Sequence, residues 1–131
     1  MKMSQFRRER RSQKDHDDLV LMMVNYFEKQ GYTNIQADIE NYTTPPIIEG
    51  QDRNHRPDIL CDKTPYTQII LEAETEDTID DEHTASQWSL FAKWANEHSN
   101  EFHLVVPKDC REDAKKRLNE LSISAHNIWT P

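Results

Sequence analysis

Glycine is almost missing from this 131-residue chain: only Gly31 and Gly50 occur. Loops that cradle phosphate with backbone N–H groups need several glycines at fixed spacing, so the P-loop and the dinucleotide fingerprint are excluded. Cysteine is equally scarce. Cys61 and Cys110 stand far apart without C-x-x-C spacing, which fits buried thiols in a reducing compartment rather than a disulfide scaffold, and a cytoplasmic location is expected. No apolar run approaches the ~20 residues that a membrane helix needs. The opening MKMSQFRRERRSQK has charge but no apolar core, so it does not read as a secretory signal. The six histidines and two cysteines show no zinc spacing.

What is present is charge, unevenly placed. The net charge is −8. Residues 1–14 carry six Lys or Arg against one Glu, while the remaining 117 residues carry ten against 23 Asp or Glu. This predicts a basic N-terminal arm at 1–14 and one acidic domain at 15–131. Such an arm suits a polyanion, and an acidic body suits cations; the alternative is a solubilising helix extension.

Asp15–Gln30 reads as a helix. Leu19, Met23 and Tyr26 form one row and Val20, Val24 and Phe27 the next. Asp15, Asp17 and Asp18 are expected in its first turn, and Gly31 ends it. Asn34–Glu40 alternates as a half-buried strand, and 43–56 reads as loop around Pro45-Pro46 and Gly50. Ile59–Asp62 and Gln68–Glu74 make a hairpin. A helix then runs to about Asn100 with Trp88, Phe91, Ala92 and Ala95 on one stripe. Phe102–Val106 is a strand, Asp109–Leu121 a helix, and Asn127–Thr130 a short last strand. The order α-β-β-β-α-β-α-β predicts an α/β fold with a mixed sheet flanked by helices.

Strand alternation groups Ile70, Glu72, Glu74 and Glu76 on one face and Ile69, Leu71, Ala73 and Thr75 on the other. Glu72 and Glu74 then project side by side, roughly 7 Å apart at Cα. The hairpin brings Asp58 beside Glu72. Carboxylates are costly near buried strands, and three of them repel one another without a cation between them. A hard divalent ion such as Mg²⁺ or Mn²⁺ suits such a cluster. A glycosidase pair is excluded, because Glu72 and Glu74 are too close to flank a sugar bond.

Pro57-Asp58 at one strand start and Glu72-Ala73-Glu74 at the end of the next resemble the motif of the PD-(D/E)XK nuclease superfamily. The resemblance spans about residues 15–130 as the restriction-endonuclease-like αβββαβ core with an added helix and strand. It implies metal-dependent hydrolysis of phosphodiester bonds, in DNA, with Asp58 and Glu72 as metal ligands. Glu74 stands where the superfamily usually has Lys, which orients or activates the attacking water. Glu74 would then act as a base or further ligand, or Lys93 on the following helix would supply the cation, or the site is inert. Asp17 or Asp18 of the first helix, with Glu28 as a rival, would complete it. DNA contacts are expected from Arg7, Arg8, Arg10, Arg11 and Lys14, from the loop Arg53–Arg56, and from Gln87. A nucleic-acid-binding or protein-interaction domain without catalysis, and a homodimer, both stay open.

Overall fold

The computed structural model describes residues 10–131. The chain runs through α1 (Arg10–Lys29), β1 (Thr33–Ala37), β2 (Ile48–Glu49), β3 (Asn54–His55), β4 (Ile59–Thr64), β5 (Thr67–Ala73), α2 (Glu82–Glu97), β6 (Glu101–Val105), α3 (Arg111–Leu121) and β7 (Asn127–Trp129). Five strands form one sheet in the order β1-β4-β5-β6-β7, and β2 pairs with β3 as a separate two-stranded ribbon. The pairs β1·β4 and β4·β5 are antiparallel, and β5·β6 and β6·β7 are parallel. The expected mixed sheet with flanking helices is therefore present.

The helices cover both faces of the sheet. Leu19, Val20, Met23, Val24 and Phe27 of α1 pack with Ile59, Cys61, Ile69, Leu71, Ala73 and Val105. Trp88, Phe91 and Ala95 of α2, with Ala114 and Leu118 of α3, pack with Leu60, Ile70, Phe102 and Leu104. Alternation along β5 explains the division, since Ile69, Leu71 and Ala73 face α1 and Ile70 faces α2 and α3. A strand buried on both sides needs the unbroken apolar run that Ile69–Leu71 supplies.

The boundaries depart from the pattern-based reading in four places. The described part of α1 opens at Arg10 with no acid in its first turn, and Asp15, Asp17 and Asp18 sit further along it. The helix also crosses the expected boundary of the basic arm at residue 14. Its end is as expected: Gly31 has φ +82°, its N–H bonds the Glu28 carbonyl, and the Tyr32 N–H reaches back to Phe27. That is a Schellman closure, which needs the left-handed conformation glycine takes at little cost. Strand β1 stops at Ala37, with a register irregularity between Thr33 and Gln36 where Asn34 adopts positive φ. The segment 43–56 is not all loop, because Ile48 and Glu49 pair with His55 and Asn54. Helix α2 ends at Glu97, where Ser99 turns left-handed and the Asn100 N–H closes on the Ala95 carbonyl.

Candidate functional site

The register of the central hairpin pairs Ile59 with Leu71 and Leu60 with Ile70. Continued by one residue, it sets Asp58 opposite Glu72 at the strand ends. Both are buried. They open into a pocket of about 240 Å³ lined also by Gln13 and His16 of α1, by Asp38 and Arg56, and by Thr78, Asp81, His83, Thr84 and Gln87 at the start of α2. The pocket thus forms where the first turns of α2 and the N-terminal half of α1 meet the sheet.

Asp58 is held on two sides. Its Oδ2 accepts the Ala73 N–H at 2.8 Å and lies 3.1 Å from His16 Nε2. The other ring nitrogen of His16, Nδ1, lies 3.0 Å from Asp17 Oδ1, and that oxygen also accepts from Gln13 Nε2 at 2.9 Å. Both imidazole nitrogens therefore face carboxylate oxygens, an arrangement that calls for a proton on each. Burial works to raise the Asp58 carboxyl, but the His16 charge and hydrogen bond, a side-chain hydrogen bond with Glu72 and the Ala73 N–H together hold it below the ordinary carboxylate range. Asp38 moves the other way. Burial and the neighbouring Asp58 charge raise it, against the pull of Arg56 and His16.

Glu74 does not line this pocket. Its Oε1 accepts from Thr78 Oγ1 at 2.7 Å and from Thr84 Oγ1 at 3.4 Å, and its Oε2 accepts from Trp88 Nε1 at 3.3 Å. Its own N–H bonds the Val105 carbonyl. A turn after β5 brings Thr78 back onto Glu74. Of the three carboxylates expected to converge, Asp58 and Glu72 line the pocket, and Glu74 is hydrogen-bonded to two threonines of its lining and to Trp88.

The other candidates divide by position. Gln87 and Arg56 line the pocket, the Arg56 guanidinium also donating to the Pro45 carbonyl. Arg53 is exposed in the turn between β2 and β3 and is not in the lining. Lys93 lies two turns further along α2 and lines a different hollow with Thr67, Asn96 and Ser99, so it is not the cation of this pocket. Asp17 reaches the pocket through His16. Asp18 pairs with Lys14 at 2.7 Å, and Glu28 is exposed near the far end of α1. Arg7 and Arg8 lie outside the described residues, as do the side chains of Arg10 and Arg11.

His16 was not among the sequence candidates, although its signal is readable. It stands four residues before Val20 on the row that continues through Val24 and Phe27, so a titratable side chain occupies a buried helix face. Among the described residues no group of three or more His, Cys, Asp or Glu side chains is arranged to hold a metal ion. The two hard oxygen donors on Asp58 and Glu72 fit only an ion that completes its shell with water and substrate phosphate, as Mg²⁺ does. Also among the described residues, no helix is long and apolar enough to cross a membrane. No family model, curated protein or solved structure matches the chain.

Proposed function

We propose that this pocket hydrolyses phosphodiester bonds in nucleic acid, most readily DNA, with Asp58 and Glu72 holding Mg²⁺ or Mn²⁺. The observation that carries this reading is the pair of buried carboxylates facing each other across two adjacent strand ends in a polar pocket. Two such groups are not placed together without a compensating charge or proton. The charge balance of the lining points the same way. Asp38, Asp58, Glu72 and Asp81 face one arginine and two histidines, so a phosphate is attracted only when a further cation is supplied. The resemblance to the PD-(D/E)XK superfamily at Pro57-Asp58 and Glu72-Ala73-Glu74 fits this placement, as does the order of the elements around it.

When bound, the ion would stabilise charge on the phosphate oxygens and acidify the attacking water. The chain's own residues have separate tasks. Arg56 supplies a guanidinium at the pocket wall for a phosphate oxygen. Gln87, on the first turns of α2, offers an amide to the substrate backbone or to water. Glu74 organises the turn that carries Thr78 and the start of α2.

The test is to incubate the purified protein with plasmid, linear and branched DNA, with and without Mg²⁺ or Mn²⁺. Cleavage that needs the metal, and that falls by roughly 10²-fold or more in Asp58→Asn and Glu72→Gln, is the expected result. Activity that survives Glu72→Ala rejects the site. A second reading draws on the absence of lysine from the described lining and on the structural partners of Glu74. In it the chain binds nucleic acid without cutting, with an affinity that falls steeply with salt and no products with any metal.

A further inference from the structure

We propose that His16 is the positioning residue for Asp58: supported by Asp17 and Gln13 behind it, its ring fixes the orientation in which the Asp58 carboxylate meets the pocket. The inference rests on the phosphodiesterase reading and adds to it a residue from the first helix. A carboxylate has a free rotation about its last bond, and a ligand or substrate sees a useful oxygen only when that rotation is stopped. Here Oδ2 is committed twice, to Ala73 N–H at 2.8 Å from the sheet and to His16 Nε2 at 3.1 Å from α1. The two donors come from different elements, so the carboxyl plane is set between them.

His16 is itself fixed. It is 6% exposed, and its Nδ1 is held by Asp17, which in turn accepts from Gln13 one helical turn earlier. The chain Gln13–Asp17–His16–Asp58–Ala73 crosses from an exposed helix surface to the end of the sheet's central strand. Outer-shell partners of this kind orient a working carboxylate, and their removal costs about 10–100-fold in activity or ion affinity. A purely packing role for His16 is the alternative, because its row on α1 is otherwise apolar. The row also offers the decisive control, since Leu fills that place without a donor.

The experiment compares wild type, His16→Leu, His16→Gln and Glu72→Gln, with kcat and KM for plasmid DNA measured separately in Mg²⁺ and Mn²⁺ affinity read by electron paramagnetic resonance. Thermal unfolding confirms that each variant is folded. His16→Leu is expected to lose about 10–100-fold in kcat with little change in KM, and to bind Mn²⁺ about tenfold more weakly. His16→Gln, whose Nε2–H can point at Asp58, is expected to recover much of both. Wild-type kcat in folded His16→Leu overturns the inference, and so does a Gln variant no better than Leu. The two levels separate cleanly. If wild type cuts, Glu72→Gln is silent and His16→Leu is unimpaired, only the role of His16 falls. If wild type neither cuts nor binds Mn²⁺, the phosphodiesterase reading falls and takes this role with it.

Discussion

Glu74 shows how one residue's chemistry depends on the partners that the fold brings to it. In sequence it belongs with Glu72, two positions on along the same strand. In the fold it is 1% exposed and accepts from two threonines and a tryptophan indole. Its replacement leaves two buried donors, Thr84 and Trp88, without this acceptor, so Glu74→Ala is expected to destabilise the protein by about 2–4 kcal/mol. Urea unfolding measures this directly, and a loss under about 0.5 kcal/mol, the range of ordinary surface changes, would contradict the anchoring role. Asp58 and Glu72 were legible as a pair because antiparallel register follows from the hairpin. Glu74 was not, because nothing in the local pattern shows that Thr78 folds back. Lys93 failed for a different reason: helical spacing from Gln87 to Lys93 places it beyond the turns that line the pocket, against another hollow.

At the scale of elements, β7 illustrates a short edge strand that needs fastening beyond its ladder. It spans three residues, paired with β6. Trp129 Nε1 donates to His103 Nδ1 at 2.9 Å, which leaves Nε2 to donate to Glu101 at 2.9 Å and makes His103 neutral. Burial lowers the His103 pKa, with His126 and Lys63 adding to the effect and Glu101 opposing it. A histidine held below its unfolded value contributes stability that is present above about pH 6.5 and is lost as pH falls through the folded value. Unfolding free energy is therefore expected to decline from pH 7.5 to pH 5.5, and His103→Asn to show a shallower decline. An unchanged slope in that variant removes His103 from the account. The strand's position was legible from Asn127–Thr130, but its fastening was not, since His103 and Trp129 lie 26 residues apart. The early start of α1 was hidden in a similar way. Its first described residues are too polar to carry an apolar stripe, yet Ser12 meets Thr75 and Asp77 across the fold.

At the scale of the whole molecule, a net charge of −8 and an acid-lined pocket set up a field that attracts cations. An ion that binds the folded chain and not the unfolded one stabilises it by mass action. Mg²⁺ or Mn²⁺ at millimolar concentration is expected to raise the melting temperature, and the shift is expected to vanish in the Asp58→Asn, Glu72→Gln double variant. A flat response in wild type would speak against ion binding at Asp58 and Glu72. The three-layer build also separates the two cysteines. Cys61 and Cys110 are buried on opposite faces of the sheet and unlinked, and burial with the nearby Asp62 charge pushes the Cys61 thiol up to about 12.

The sequence by itself determined the three helices and the five strands of the main sheet, their order, and which residues of β5 share a face, because periods of 3.6 and 2 are local properties of the chain. It also determined that Asp58 meets Glu72, since a short hairpin leaves that register little freedom. Only the tertiary structure decided which other side chains share their pocket. His16 enters because α1 crosses the sheet with its His16–Val20–Val24–Phe27 row inward, and Glu74 is engaged by Thr78, Thr84 and Trp88 because the turn after Ala73 and the start of α2 close over it. Both outcomes depend on contacts between residues distant along the chain, where spacing in sequence carries no information about distance.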